Sequence, residues 1–449
     1  MKKRGKRLFE RERKSFQMNT KAVQDKLQSG VGKFAGNRYV QAISNGMVLI
    51  MTPIIIGSIF TLLGNLPIPG YSDFLSAHGI AAILNLAPDF TTNIMALLAV
   101  FFIAYSLAKL FDKDGVIAGM LALISFFIVT PLSSTKISGA MTDYISFDWV
   151  GERGLFVAII IGLLTARLYV FFMDRGFTIK MPKGVPSAVS ASFSGLIPGF
   201  AIVILSLIIA ALFKLTPFGS LDNLVYECVQ IPFQGIGSTF GAYLVVILAV
   251  GVLWFFGLHG DNIIIMGLMY PIYLALDMQN LKAYQAGHVL PNIIGYQFLV
   301  TYTEVAGTGI TIGLALLMAF KAKSKQYRIV GKLAIPTACF EINEPVIFGT
   351  PIVMNPIMLF PFLLAPVLCS TLAYVATAIG LVPRLNGVQI PWSTPPIISG
   401  FLEGDWRTAV LQVVIILLSI LIYYIPFKVL DKKTYEEEQK NAAEETAKA

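Results

Sequence analysis

Ten stretches of this chain are long and apolar enough to cross a lipid bilayer, and that property decides most of what the sequence can fold into. They lie near residues 40–64, 92–111, 116–133, 151–173, 188–213, 236–257, 261–278, 303–320, 355–381 and 408–427. A helix needs about 20 mostly apolar residues to span the hydrocarbon core, and only helices or closed barrels satisfy their backbone there. Composition agrees. With 13% charged and 56% hydrophobic residues, the chain carries about half the charge of a soluble domain. A soluble enzyme, a disordered chain and a collagen-like polymer are excluded. The expected fold is an all-α integral membrane protein of about ten transmembrane helices plus re-entrant hairpins.

The basic residues then set the orientation. Residues 1–38 hold 12 of the 34 Lys and Arg, whereas the connection 65–91 holds none. Lys109 and Lys113, then Arg175, Lys180 and Lys183, then the five basic residues of 321–332, and finally Lys428, Lys432 and Lys433 all fall on the side of the N-terminus if there are ten spans. Both termini are therefore expected to be cytoplasmic. Because the stretch after the first basic run stays polar, a cleaved secretory signal is not expected. Because the same charges orient the first span, no nucleic-acid partner is expected. Val23, Leu27, Val31 and Phe34 recur at helical spacing among Lys21, Lys26 and Lys33, which predicts an interfacial amphipathic helix on the cytoplasmic leaflet. Cys228, Cys339 and Cys369 have no C-x-x-C spacing and sit in apolar sequence. They read as buried thiols rather than a disulfide framework or a zinc site.

The two halves differ. Residues 39–215 read as five conventional spans behind the cytoplasmic segment 1–38. In 216–427, Gly and Pro interrupt the apolar stretches, and segments 286–302, 334–354 and 388–402 are too short or too broken to span. Non-helical backbone at membrane depth survives only when buried in protein or lining a wet cavity. Such pieces are expected to form hairpins around a transporter's binding site. The tail 428–449 is too short for a further domain.

Polar residues inside apolar sequence need a reason. In Trp254-Phe-Phe-Gly-Leu-His259-Gly-Asp261-Asn262, one span ends and another opens. Imidazole donates and accepts near neutral pH, so His259 suits hydroxyl binding or proton transfer. Alternatively, Asp261 caps the next helix and His259 faces water. The second group is Glu341-Ile-Asn343-Glu344-Pro345. Pro345 disfavours helix at Glu344 and places it at a break or hairpin tip. One of the two acids must meet a ligand, a cation or a proton, and Glu341 is the better candidate for a partnered acid that shapes the hairpin. Two weaker groups are Gly287-His288-Val-Leu-Pro-Asn292 and Gln389-Ile-Pro-Trp392. Indole favours membrane interfaces, yet a flat aromatic also covers the C–H face of a sugar. His78 falls in an extracytoplasmic loop and is assigned no role.

With these residues in place, the chain resembles the membrane-embedded IIC component of a bacterial sugar phosphotransferase system, of the lactose/cellobiose/chitobiose type. The resemblance runs through the basic N-terminus, the ten spans, G-L-H-G-D-N at 257–262 and I-N-E-P-V-I-F-G at 342–349. It implies a homodimer in the bacterial cytoplasmic membrane, with 39–215 forming the dimer contact and 216–427 the sugar site. His259 and Glu344 would act at the C6 hydroxyl that becomes phosphorylated. Trp254 and Trp392 would stack on sugar rings, His288 and Asn292 would bond hydroxyls, and Asp261, Asn262, Gly287 and Asn343 would complete the site. The implied partners are a β-linked disaccharide (cellobiose first, diacetylchitobiose next) and a phosphorylated IIB protein, with IIA upstream. No metal or cofactor is implied. Read without the resemblance, the same acids also fit the proton relay of an ion-coupled secondary transporter.

Overall fold

The computed structural model describes residues 36–448 except 67, 69, 138, 139, 180, 183, 186–189, 191, 192 and 351, together with residues 30, 33 and 34. The amphipathic helix expected around Val23, Leu27 and Val31 lies outside the described residues.

The chain is built from helices. Its first half comprises α1 (Arg38–Gly64), α2 (Ile80–Leu110), α3 (Gly115–Val129), α4 (Leu155–Asp174) and α5 (Leu196–Lys214). Its second half comprises α6 (Leu221–Gly237), α7 (Phe240–Phe255), α8 (Asp261–Gln285), α9 (Ile312–Lys321), α10 (Lys325–Ala338), α11 (Pro356–Ala378) and α12 (Trp406–Lys448). Among the described residues, seven helices (α1, α2, α4, α5, α8, α11 and α12) are long and apolar enough to cross a membrane. The α6–α7 pair makes an eighth, bent by 76°, and α3 and α9 are shorter apolar helices.

In the first half, helices pack through small residues, as expected where lipid is as apolar as the side chains. Gly46 lies so close to α2 that a Cβ would come within 2.5 Å of Ile103, and Gly119 meets the Phe101 ring in the same way. Four features depart from the expectations. A short antiparallel ribbon, Ser133–Ile137 against Ala140–Tyr144, breaks the all-α pattern. Its Ser/Thr-rich strands lie almost wholly exposed between α3 and α4. Residues 304–311 are not helical although they belong to an apolar stretch expected to span: Ala306, Gly307, Gly309 and Ile310 all have positive φ. The expected tail begins inside a helix, because α12 runs unbroken from Trp406 to Lys448, 43 residues or about 65 Å. Of the three cysteines only Cys369 is buried. Cys228 and Cys339 sit on outward faces, since apolar surroundings in a membrane protein include lipid.

The irregular second half is held by buried side-chain amides and acids. Asp277 Oδ2 accepts from Gln297 N at 2.9 Å and from Gln389 Nε2 at 3.0 Å. Gln412 Oε1 accepts from Ile397 N at 2.7 Å and Gly400 N at 3.0 Å, which fixes Ile397 at φ +76°. Non-helical backbone thus finds its partners inside the protein. The C-terminal part of α12 acts similarly at the start of α10. Asp431 accepts from the backbone N–H groups of Lys323 and Ser324, and Glu438 from the Ser324 hydroxyl and the N–H groups of Lys325 and Gln326. Two carboxylates therefore cap the N-terminus of the helix that leads into Glu341–Glu344.

Candidate functional site

Three breaks in the helices converge. The first lies between α7 and α8. Gly257, at φ +79°, turns the chain, and Gly260 packs on Val250, where a Cβ would approach the carbonyl oxygen to 2.4 Å. The turn folds Asp261 back toward the last turn of α7, where Asp261 Oδ2 accepts from the Trp254 indole N–H at 2.7 Å. The same oxygen accepts from the Thr308 hydroxyl at 2.5 Å. It is His259 that bonds the opening of α8: its Nδ1 accepts from Asn262 N at 3.3 Å, and its ring lies 4.4 Å from that of Trp254. The alternative in which Asp261 caps α8 is therefore not the arrangement found.

The second and third breaks are knitted to each other. Residues 304–311 pass beside 339–343, the gap between α10 and the short helix Glu344–Gly349. The Glu341 carboxylate accepts from Ala306 N, and Asn343 Nδ2 donates to Thr308 O at 2.8 Å. Gly307 lies against Asn343, leaving no room for a Cβ. Glu341 is thus a partnered acid that shapes the tip. Glu344 starts the short helix, with Pro345 next, and its side chain is exposed.

Between these breaks lies a cavity of about 360 Å³, within the range of small-molecule sites (about 300–1,000 Å³). Trp254, His259, Asp261 and Asn262 line it, as do Glu341, Asn343 and Glu344, with Trp392 also in its wall. Trp392 is 47% exposed and sits in a turn closed by Thr394 N to Pro391 O at 2.9 Å. Tyr296, Glu304 and Thr308 also line it, as do Val48 and Met51 of α1. No Lys or Arg does so among the described residues. Four carboxyls and no cation make a poor receptor for an anion. Carboxylates and amides flanked by two indoles suit a neutral ligand with many hydroxyl donors and flat apolar faces. Among the described residues, no group of three or more His, Cys, Asp or Glu could hold a metal ion.

Gly287, His288 and Asn292 do not line this cavity. They follow the far end of α8, whose 25 residues cover roughly 37 Å from Asp261. Asn292 is engaged within the protein: its Nδ2 donates to Leu276 O and Gln279 Oε1, each at 2.9 Å. Conversely, sequence reasoning passed over Glu304, Tyr296 and Thr308. For Glu304 a signal existed, since it is the one charged residue of the apolar stretch 303–320 and is followed closely by Gly307 and Gly309.

Fold and cavity together define a membrane transport protein with a polar cavity between broken helices. Residues 44–366 match the family described as "Phosphotransferase system, EIIC". The chain is 40% identical over 427 residues to the lichenan permease IIC component of Bacillus subtilis (strain 168), covering 93% of this chain and 94% of that one. It is 38% identical over 432 residues to the cellobiose-specific EIIC component of Geobacillus stearothermophilus, covering 93% and 95%. It also superposes on the crystal structure of the transporter ChbC, the IIC component of the N,N'-diacetylchitobiose-specific phosphotransferase system. That match has a TM-score of 0.88 and 38% identity, and covers 92% of this chain and 99% of that one. The chain belongs to the EIIC family. It is the permease component of a sugar phosphotransferase system and a multi-pass integral membrane protein.

Proposed function

We propose that the cavity between α7, α8 and the 304–311 and 339–344 breaks carries a β-linked disaccharide of the cellobiose or diacetylchitobiose kind across the membrane for phosphorylation by a separate IIB protein. The observation that carries this reading is the lining itself: two indoles, one imidazole, carboxyls and amides, with no Lys or Arg among the described residues. Trp254 and Trp392 cover sugar faces, and His259, Asn262, Asn343 and Glu344 address hydroxyls. His259 Nδ1 already accepts from the protein, so Nε2–H is the atom it offers as a donor, while the exposed Glu344 carboxylate is an acceptor. Such a pair can orient one hydroxyl through its oxygen and its hydrogen at once, which is the geometry phosphoryl transfer needs. Gly287, His288 and Asn292 lie outside this cavity, and Asn292 ties the chain after α8 to Leu276 and Gln279.

The proposed topology has ten spans, re-entrant pieces at 286–302, 334–354 and 388–402, and cytoplasmic termini. Residues 39–215 form the contact of a homodimer, and 216–427 move as a body to bring the sugar from the outer to the inner side. Phosphorylated IIB, recharged by IIA, then meets the sugar from the cytoplasm. Calorimetric titration of the purified protein with a panel of β-linked disaccharides tests the substrate class. Saturable binding of cellobiose or diacetylchitobiose supports it, and binding of none of the panel overturns it.

A further inference from the structure

Two of the carboxyls that line the cavity are bonded to each other. The Glu304 carboxyl hydrogen-bonds the Asp261 side chain. Asp261 Oδ2 already accepts the Trp254 indole N–H at 2.7 Å and the Thr308 hydroxyl at 2.5 Å. Its Oδ1 is buried, and among the described residues no backbone or amide N–H and no hydroxyl donates to it. Glu304 opens the 304–311 turn on a fixed backbone. Its N–H donates to Leu299 O at 3.0 Å, and its carbonyl accepts from Gly307 N at 2.6 Å. The other ionisable groups of the lining are His259, Tyr296, Glu341 and Glu344, with no Lys or Arg among the described residues. His259 Nδ1 stands 3.9 Å from Asp261 Oδ2 but accepts from Asn262 N, so it carries no proton toward the pair.

An ionised carboxyl can only accept, so a hydrogen bond between two carboxyls needs a proton on one of them. Two bare anions side by side, with no cation to separate them, would also repel. The partners decide where the proton sits. An indole N–H can only donate, and together with the Thr308 hydroxyl it stabilises negative charge on Asp261. The charge therefore rests on Asp261 and the proton on Glu304, and Oδ1 is the acceptor position left open for it. We infer that Glu304 and Asp261 hold one shared proton, carried by Glu304 and donated to Asp261, and that Glu304 is thereby a positioning residue that locks the 304–311 turn to Trp254. Glu304 and Thr308 grip Asp261 from one turn, and Asp261 in turn fixes the indole in the cavity wall. The shared proton also removes one negative charge from a cavity that opens to a neutral ligand.

The purified full chain is compared without sugar, at neutral pH, as wild type, Glu304→Gln, Glu304→Met and Asp261→Asn. In infrared difference spectra, wild type minus Glu304→Gln should show the C=O stretch of one protonated carboxyl. Asp261→Asn should lose the same band, because an asparagine amide donates to Glu304 directly and needs no proton between them. Trp254 emission is taken as the part of the fluorescence absent in a Trp254→Phe background. It should be kept in Glu304→Gln, whose amide N–H replaces the acid O–H. It should shift in Glu304→Met, which is of similar length and has no donor. Cellobiose should bind Glu304→Met about tenfold more weakly than Glu304→Gln. That last arm alone rests on the disaccharide reading: wild type that binds no β-linked disaccharide sinks that reading and leaves the infrared result to decide the shared proton. A difference spectrum with no protonated-carboxyl band overturns the shared proton. A Trp254 emission shifted as far in Glu304→Gln as in Glu304→Met overturns the positioning role. If Glu304→Met fails to fold, the Glu304→Gln emission against wild type still decides it.

Discussion

At the scale of single residues, the account separates side chains that meet the ligand from those that shape the room. Trp392 is half exposed, and no hydrogen bond is found for its indole among the described residues, so its burial must come from a ligand or from lipid. Trp392→Ala should weaken disaccharide binding by roughly 1–3 kcal/mol, the usual loss when an aromatic platform is removed. Unchanged affinity in a titration would return the indole to an interfacial role. Glu344→Gln should leave sugar binding within severalfold of wild type and abolish phosphorylated product, measured with labelled sugar. Full product formation would remove Glu344 from the reaction. His259, Asp261, Glu341 and Glu344 could be singled out from sequence because charge inside apolar sequence is costly and therefore conspicuous. Pro345 also made it legible that Glu341 would be the partnered acid and Glu344 the one at the break, but the partners themselves and the role of Asp261 were not. Only the fold shows Asp261 turned onto Trp254 and Thr308, and Glu341 turned onto Ala306. Glu304 escaped notice because a single acid at the edge of an expected span reads as a span end.

At the scale of elements, the long helices were legible and the broken ones were not. α1, α4 and α11 follow from apolar length alone. Residues 304–311 are as apolar as a span, yet Gly307 and Gly309 permit positive φ, and Glu341 and Asn343 supply the hydrogen bonds that make a turn preferable to a helix. Those partners lie more than thirty residues away in sequence, so no local pattern carries them. The far end of α8 depends equally on distant partners. Lys282 bonds Asp148 at 2.5 Å, Gln279 bonds Glu152 at 3.1 Å and Tyr284 OH donates to Asn65 O at 2.8 Å. The Lys282 ammonium holds the Asp148 carboxyl below its ordinary value, against a smaller upward push from partial burial. The pair's contribution to stability is therefore complete above the ordinary carboxylate range and lost as pH falls through it and below. Thermal unfolding should show Asp148→Asn less stable than wild type at pH 7, with the difference closing below about pH 4. A gap that persists in acid would assign the loss to something other than charge.

At the scale of the whole molecule, α8 joins two regions. One end carries Asp261 and Asn262 into the cavity. The other is tied to α1 and to the 148–152 turn. If the second half moves as a body, these ties must break in each cycle. Gln285 Nε2 donates to Thr61 Oγ1 at 3.0 Å, so cysteines at those two positions should be joined by a short bis-methanethiosulfonate reagent, whose bridge spans the gap that a direct disulfide would not. The cross-linked protein should bind cellobiose but stop taking it up, and reduction should restore uptake. Uptake undiminished by the cross-link would place the moving boundary elsewhere. Topology follows a similar rule of legibility: the paucity of charge announced a membrane protein, while the seating of α6 at 76° to α7 depends on packing that composition does not encode.

The central claim is that this cavity presents a sugar for phosphorylation rather than releasing it unchanged. It is tested most directly in vesicles containing the purified chain and loaded with labelled cellobiose outside and phosphorylated IIB inside. The account predicts that label accumulates inside as phosphorylated disaccharide, and only when IIB is present. Accumulation of unmodified sugar without IIB, rising and falling with an imposed pH gradient, would contradict it.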